Sequence, residues 1–447
     1  MKRALFALFL FSFAVAALCL EPVGMTVPFS MKAGLRAESA SSLDVVAFPD
    51  SSFVKVHLDS LELEEGDSLV LSDGDKAIKT VNGPFSGEIW LPSVTTGIAY
   101  LTLESSGRSG SAGYSVDKVG VGFFSGHEPE SICGIDDRRN AVCYDSQMQT
   151  FGLPVGRMLF SDGAGWYLCT GSLVSPNGHF LTNNHCIEEE YGASTLEVWW
   201  NYKAATCGGS SGEYDHVTTG STFRTTNPTL DFTLLQISDP TLYDRYGYLK
   251  IAARNPVKGE SIWIPQHGGG TIKKFAVDSD MDGGHATVVD ESVSGYGSDT
   301  DIGYWADTEG GSSGSPVLDS NNKILALHHF GVYYSCGDYD MNQGVKMSLI
   351  YPEIAEYLGD IIPPSVSSVA KATNPFRLII KGSNMKPGIA AYIGDDTSPW
   401  LYYSYKTAEK FVLKGNNALK NRFPKGVPVS IRLVNTDGGT VYTTYTR

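Results

Sequence analysis

The stretch Gly311-Ser312-Ser313-Gly314-Ser315-Pro316 decides the fold that this sequence predicts. Glycines on both sides of the serine pair permit a tight turn that can present Ser313 at a surface. A serine hydroxyl is a weak nucleophile until a neighbouring base removes its proton. The stretch therefore predicts a nucleophile turn, provided that the rest of the chain supplies a base and a carboxylate to orient it.

Two upstream segments supply these groups. His185 lies in Leu181-Thr182-Asn183-Asn184-His185-Cys186, after an apolar run, and Asp231 opens the run Asp231-Phe232-Thr233-Leu234-Leu235. We expect His185 to act as the base, Asp231 to hold its tautomer and Ser313 to attack. The main-chain N–H groups of Gly311 and Ser313 are expected to converge as an oxyanion hole.

Residues from about 130 to 358 resemble the trypsin/chymotrypsin superfamily, specifically its secreted lysyl endopeptidase-like branch. The resemblance is carried by segments that match the base, the orienting aspartate and the nucleophile turn, namely Cys169–Val174, Thr182–Cys186, Asp231–Leu235 and Gly310–Val317. The order His, Asp, Ser is that of chymotrypsin. The resemblance implies an all-β, chymotrypsin-like double β-barrel and a serine endopeptidase that works through an acyl-enzyme.

The resemblance also implies substrate contacts. Leu327-His328-His329 with Gly331 is similar to the strand that pairs with substrate backbone, so His329 and Gly331 are expected to bind substrate. Because adjacent strand residues face opposite ways, at most one of the two histidines points into the site. Ser312 stands where trypsins carry the aspartate that pairs with a freed N-terminus, so the oxyanion hole is predicted not to depend on such a terminus.

Asp307 is the candidate specificity residue. It precedes Ser313 by six positions, which in trypsins is the floor of the primary pocket. A buried carboxylate favours a cation, so Lys or Arg is predicted at P1, the substrate residue before the scissile bond. Lysyl endopeptidases take their pocket acid from beyond the cysteine that matches Cys336, where Asp338 and Asp340 fall out of register. The alternative is that Asp307 lies in a solvated loop.

The cysteines and the N-terminus indicate export. Residues 1–20 have a basic start and an apolar core, which is typical of a signal peptide. Export implies an oxidising compartment. The six cysteines that follow the signal peptide allow 15 pairings. The resemblance selects one of these sets, Cys133–Cys336, Cys143–Cys207 and Cys169–Cys186.

The overall charge constrains the partners. The chain has 34 Lys and Arg residues against 49 Asp and Glu residues, a net charge of −15. That balance argues against nucleic acid or an anionic membrane as a partner. No segment after the signal peptide is apolar enough to span a bilayer. We expect protein or peptide substrates, no metal site and no cofactor.

Turn residues and short apolar runs predict three β-rich modules. An N-terminal β-sandwich is expected over residues 21–118, with a possible role as a propeptide. The protease domain is expected over residues 119–360, and an immunoglobulin-like β-sandwich that resembles IPT/TIG domains over residues 365–447. The end modules are expected to bind a surface, a polysaccharide or another protein.

A different class of function remains open at this stage. The chain is compatible with a secreted adhesion or binding protein that retains a protease fold without turnover. Every triad position is filled and both oxyanion donors are available. The sequence therefore favours the enzyme.

Overall fold

The computed structural model describes residues 20, 22–35, 41–105, 112–123, 131–331, 336–337, 340–359, 363–435 and 439–447. Most of the predicted signal peptide, residues 1–19, lies outside the described residues. The described chain is built mainly of antiparallel strands, which confirms the all-β prediction. Within the described residues, none of the helices has the length and hydropathy that crossing a bilayer requires.

The N-terminal module is a two-layer β-sandwich. One layer has the strand order β1-β8-β3-β6 and the other β2-β7-β4-β5. Alternate residues point inward, as Leu69 and Leu71 do in β4, and bury a core between the layers. Strand β8 crosses the predicted boundary at residue 118. The strands are β1 (Gly24–Gly34), β2 (Ser41–Ala47), β3 (Val54–Leu63), β4 (Ser68–Ser72), β5 (Ala77–Asn82), β6 (Phe85–Trp90), β7 (Ile98–Glu104) and β8 (Gly113–Gly122).

The middle of the chain forms two antiparallel β-barrels. The first has the order β16-β13-β10-β11-β12-β18-β17. Its strands are β10 (Val155–Ser161), β11 (Gly165–Leu173), β12 (His179–Thr182), β13 (Glu197–Trp200), β16 (His216–Thr219), β17 (Thr222–Asn227) and β18 (Phe232–Gln236). A small hairpin of β14 (Lys203–Ala204) and β15 (Gly212–Glu213) projects from it.

The second barrel has the order β23-β24-β27-β26-β25-β19-β20-β9. A bridge between Ser261, just before β19, and Thr287, just before the edge strand β23, brings that edge back to β19. Its strands are β9 (Arg139–Asn140), β19 (Ile262–Gln266), β20 (Lys274–Ala276), β23 (Val288–Val293), β24 (Asp301–Tyr304), β25 (Pro316–Asp319), β26 (Ile324–Phe330) and β27 (Asn342–Lys346). A hairpin of β21 (Asp278–Ser279) and β22 (Gly284–His285) lies outside this order.

Helices are short in this region except for the last one. They are α1 (Ser146–Gly152), α2 (Glu190–Thr195), α3 (Leu242–Tyr246) and α4 (Met347–Leu358), with 3₁₀ turns at Ala141–Cys143 and Gly268–Gly270. Helix α4 packs its buried side chains Ile350 and Ile354 into the core shared by the two barrels. The disulfides have the pairing that the resemblance implied, Cys133–Cys336, Cys143–Cys207 and Cys169–Cys186.

The C-terminal module is a second β-sandwich with its own core. Its sheets have the orders β28-β29-β32-β31 and β30-β33-β34. The elements are β28 (Ser365–Ala372), β29 (Arg377–Ser383), β30 (Ala390–Ile393), β31 (Tyr403–Thr407), β32 (Lys410–Leu413), α5 (Asn416–Asn421), β33 (Pro428–Val434) and β34 (Thr440–Thr446). The two sheets are as expected for an immunoglobulin-like module, and the IPT/TIG resemblance stays a prediction.

The N-terminal sandwich is joined to the first barrel by backbone pairing. Gly24 and Met25 of β1 pair with Trp166 and Gly165 of β11, so one sheet runs through both modules. The Trp166 indole packs edge-on against Trp90 of the sandwich, with ring centroids 5.0 Å apart. Sequence reasoning placed these modules side by side along the chain and did not predict a shared sheet.

A buried ion pair crosses the same junction. Lys55 Nζ of β3 lies 2.6 Å from Glu197 Oε2 of β13, and both side chains are fully buried. The remaining acceptor capacity of Glu197 is used by the Ser93 main-chain N–H, the Ser93 hydroxyl and the Trp199 indole N–H. Burial lowers the pKa of Lys55 and the charge of Glu197 opposes that shift. A charge buried this deeply depends on its partner in the other module.

Replacing Lys55 with methionine tests this junction. Removing one member of a buried pair leaves an uncompensated charge, which typically costs about 3–5 kcal/mol of unfolding free energy. We expect Lys55→Met to lower the midpoint of urea denaturation by a corresponding amount, and Lys55→Met with Glu197→Gln to recover part of the loss. Lys32→Met, on an exposed position of β1, is the control. Equal stability of the Lys55 and Lys32 variants would contradict the role given to the pair.

Candidate active site

His185 and Asp231 meet at the ends of neighbouring strands of the first barrel. His185 follows β12, and Asp231 immediately precedes β18, the strand that pairs with β12. The Nδ1 atom of His185 lies 2.7 Å from Asp231 Oδ2, and the His185 main-chain N–H donates to Asp231 Oδ1 at 2.9 Å. The two contacts hold His185 by its ring and by its backbone. The His185 side chain is 11% exposed, whereas that of Asp231 is 1% exposed.

Asp231 is held as an anion inside the protein. Burial alone would raise its pKa, but the neighbouring imidazoles of His185 and His329 outweigh burial and bring the pKa below its usual value. The backbone of Asp231 is left-handed, with φ of 40°, a conformation that non-glycine residues seldom adopt. The Asn183 amide donates to the Asp231 carbonyl oxygen at 2.8 Å and secures that turn.

A second histidine and a second aspartate continue this arrangement. His329 Nδ1 lies 3.0 Å from Asp231 Oδ2, and His329 Nε2 lies 2.5 Å from Asp301 Oδ2. The side chains of His329 and Asp301 are fully buried. Burial lowers the pKa of His329, but the two carboxylates outweigh it and the net shift is upward. His329 therefore bridges the two carboxylates, and because both of its ring nitrogens are engaged there, they do not face substrate as the sequence predicted.

Sequence reasoning missed Asp301 and assigned His329 a different contact. The aspartate is separated from Asp231 by 70 positions, and nothing in its own segment marks it as a partner of a histidine. A histidine that is buried in a strand needs hydrogen-bond partners, so the expected burial of His329 could have indicated an acidic neighbour. The strand residue next to it, His328, points the other way and contacts the Tyr304 hydroxyl through Nδ1 at 2.7 Å. Burial lowers the pKa of His328 to about 3, so it is neutral.

The nucleophile turn has the glycine-dependent form that its sequence predicts. Gly311 and Gly314 have φ of 93° and 85°, where side-chain-bearing residues are strained. A Cβ on Gly314 would lie 2.0 Å from the Thr170 carbonyl oxygen. Ser313 is partly exposed between the buried residues Ser312 and Gly314. Among residues 311–316, Ser313 is therefore the residue that the turn exposes to solvent.

The turn is anchored next to the histidine segment. The Thr170 main-chain N–H donates to the Ser313 carbonyl oxygen at 2.8 Å, and Gly314 N–H donates to the His328 carbonyl oxygen. Thr170 follows Cys169, whose disulfide partner Cys186 follows His185. A His185 ring nitrogen and the sulfur atoms of that disulfide lie within 4.8 Å of one another. No hydrogen bond joins Ser313 to His185 in this structure, and such contacts often tighten only when substrate binds.

The expected oxyanion donors are available. Within the described part of the chain, no acceptor is bonded to the main-chain N–H groups of Gly311 or Ser313, whereas Ser312 and Ser315 donate within the turn. The Ser312 hydroxyl donates to Gln266 Oε1 at 2.6 Å and accepts from the Glu309 N–H. Ser312 is therefore held by a neutral contact inside the protein, and sequence reasoning did not anticipate Gln266.

Asp307 belongs to a wall that it forms together with Cys133 and Asp137. Its side-chain oxygens accept the main-chain N–H groups of Cys133 and Asp137 at 2.7 and 2.8 Å. It is 1% exposed, so the solvated-loop alternative is wrong. Burial raises its pKa to about 6, and the two N–H donors only partly oppose that shift. Asp307 has no ion pair with any described residue.

The remaining predicted substrate-binding positions lie beside this wall. Gly331 is exposed directly after β26, and a Cβ there would collide with the Ser131 hydroxyl. The Asn342 side chain ties Ser131 to the wall by donating to the carbonyl oxygens of Ser131 and Ala306. Asp340 forms a backbone bridge with Gly337, and Asp338 lies outside the described residues.

The family comparison matches the two-barrel region. Residues 136–343 match the family model for the lysyl endopeptidase C-terminal domain. That range includes His185, Asp231 and Ser313 and excludes both end modules. The match and the double-barrel fold support a serine protease.

Two curated relatives and one solved structure give the wider context. The chain is 29% identical over 306 residues to secreted RxLR effector protein 73 of Plasmopara viticola, with 63% of this chain and 75% of that protein covered. It is 26% identical over 330 residues to lysyl endopeptidase of Pseudomonas aeruginosa, with 66% and 64% covered. A Glu endopeptidase structure in complex with MPD is 21% identical, with a TM-score of 0.37, covering 51% of this chain and 98% of that chain.

Asp301 offers a direct test of the bridge to Asp231. Hydrogen bonds to charged groups are worth about 1.5–3 kcal/mol, so Asp301→Asn should lower kcat for peptide hydrolysis about tenfold or more with little change in KM. The exposed neighbour Asp299 provides the matched control, Asp299→Asn. If the Asp301 variant lost stability but kept its kcat, or changed only KM, the bridge would have no part in positioning Asp231.

Proposed function

We propose that the protein is a secreted serine endopeptidase that cleaves peptide bonds through an acyl-enzyme, with His185, Asp231 and Ser313 as its triad. The observation that carries the proposal is the pair of contacts from His185 to Asp231, next to a serine presented on a glycine-dependent turn. The disulfides and the similarity to a secreted effector are consistent with an extracellular location.

Each proton has a place in the proposed reaction. Asp231 Oδ2 accepts the proton on His185 Nδ1, which leaves the lone pair of Nε2 free to take the proton of the Ser313 hydroxyl. The Ser313 oxygen then bonds to the substrate carbonyl carbon. His185 returns the proton to the leaving amine, and water repeats the sequence to release the acid. Asp231 stays ionised throughout because its neighbours hold its pKa low.

Charge on the substrate oxygen develops at the turn. The unbonded N–H groups of Gly311 and Ser313 are the proposed donors, and one such donor is worth about 10²–10³ in rate. The Ser312–Gln266 hydrogen bond supports this geometry without a freed α-amine. We therefore propose that cleavage near the start of the protease domain is not what forms the oxyanion hole.

Lys or Arg at P1 is the proposed preference. Asp307 is a buried carboxylate without an ion-pair partner among the described residues, and a cationic side chain would supply the missing positive charge. The family match is compatible with that preference. Because both Asp307 oxygens already accept main-chain N–H groups, a substrate cation would add to these contacts instead of replacing them.

The alternative is a catalytically silent secreted binding protein. The similarity to a protein named as a secreted effector is the observation that favours this alternative. It predicts no reaction with an agent that requires an activated serine.

Active-site labelling distinguishes the two. A fluorophosphonate should label the full-length chain at Ser313, and Ser313→Ala should abolish labelling and lower peptide hydrolysis by on the order of 10⁶-fold. Ser315→Ala, which alters a buried serine of the same turn, should still be labelled. A wild-type chain that is folded and remains unlabelled would support the silent binding protein.

A set of chromogenic peptides that differ only at P1 tests the specificity. We expect kcat/KM for Lys or Arg to exceed that for Ala or Phe, because only the cations compensate the buried charge of Asp307. Asp307→Asn should reduce the difference between the two groups. Faster cleavage after Ala or Phe by the wild-type enzyme would show that the proposed preference is wrong, without affecting the triad.

A further inference from the structure

The C-terminal sandwich differs in charge from the rest of the chain. Residues 365–447 contain 12 Lys and Arg residues against 4 Asp and Glu residues, whereas the whole chain has 34 against 49. The module therefore carries +8 and the remainder −23. The net charge of −15, from which we expected no nucleic-acid or anionic-membrane partner, is the sum over two regions of opposite sign.

Basic side chains of this module face each other across neighbouring strands. Lys381 of β29 lies directly opposite Lys410 of β32, and the same register, continued by one residue beyond Leu378 and Leu413, places Arg377 opposite Lys414. All four basic residues are exposed. None of the four forms an ion pair with a described residue. Like charges directly opposite one another destabilise a sheet, so an anion bound between them would relieve that repulsion.

An apolar step separates the two basic pairs. Ile379 and Val412 are opposite each other in the same register. Because side chains alternate along a strand, they lie on the same face as the basic pairs. On the outer face of β29 and β32 the two basic pairs therefore flank a half-buried Ile379 and a Val412 that is 7% exposed, and this spacing of the basic pairs suits a chain carrying charges at intervals.

A cavity adjoins one end of this face. It has a volume of about 740 Å³ and is lined by both Arg377 and Lys414, together with Phe376, Tyr402 and Tyr403. Tyr402 is 64% exposed. The Trp400 indole donates to the carbonyl oxygens of Tyr402 and Lys414, which fixes the cavity walls relative to each other. The volume falls in the range of small-molecule sites, and its aromatic walls with a few polar groups have their usual composition.

We propose that this face and cavity, the basic-aromatic site, bind an acidic polysaccharide rich in uronic acid residues. The four basic side chains pair with its carboxylates, and sugar rings stack on the tyrosines in the cavity. A concave cavity accepts rings of a bound chain, whereas insertion into a membrane requires a projecting apolar surface. The disulfides indicate an oxidising compartment such as the outside of the cell. The site would hold the protease domain at an acidic polysaccharide there.

Polygalacturonate is the probe for this proposal, and its fully methyl-esterified form, which has the same rings without charge, is the matched ligand control. The full-length wild-type chain should bind polygalacturonate in isothermal titration, more weakly as salt is raised, and should not bind the ester. Lys381→Gln with Lys410→Gln should weaken binding about tenfold or more, since two charge-assisted contacts are lost. Tyr402→Ala, which leaves the four basic side chains unchanged, should also weaken binding of polygalacturonate.

A second double variant controls for net charge. Lys425→Gln with Arg432→Gln removes the same charge at and beside β33, in the other sheet of the module. It should bind polygalacturonate like the wild type, and all variants should retain the wild-type circular dichroism spectrum and urea unfolding transition of the C-terminal module, which shows that it folds. Equal weakening by the two double variants, or binding of single-stranded DNA or phosphatidylserine vesicles in place of polygalacturonate, would overturn the proposal.

Discussion

The carboxylate of Asp231 is the group on which the proposed active site depends. A buried carboxylate is costly unless its oxygens are satisfied. Here the main-chain N–H and ring of His185 satisfy it from one side, and His329 does so from the other. His329 is itself held by Asp301 from β24 of the second barrel. The two barrels are therefore connected through the charge that orients the catalytic base.

The junction with the N-terminal module follows the same physical logic. Lys55 and Glu197 have no solvent to replace a lost partner, and β1 is an integral strand of the sheet that continues into the first barrel. A cut in the chain between the modules would leave these contacts in place. The propeptide role stays a prediction from the sequence, and these contacts favour a module that stays bound after cleavage.

Local chemistry was predictable from the sequence, and long-range chemistry was not. The turn around Ser313 can be recognised in the sequence because its glycines permit backbone angles that other residues rarely adopt. The disulfide pairing followed from the family resemblance. Asp301, Gln266 and the Lys55–Glu197 pair gave no such signal, because each acts through a residue far away in the chain. The basic face of the C-terminal module was hidden for another reason, since summing charge over the whole chain cancels regions of opposite sign.

Trapping the acyl-enzyme tests the central claim most directly. The full-length protein is mixed with a slowly hydrolysed ester of a basic acyl group, quenched in acid and measured by intact mass and peptide mapping. We expect one acyl group per chain, located on Ser313, and a loss of that adduct in His185→Ala. An unmodified folded chain, or an acyl group on any residue other than Ser313, would contradict the mechanism.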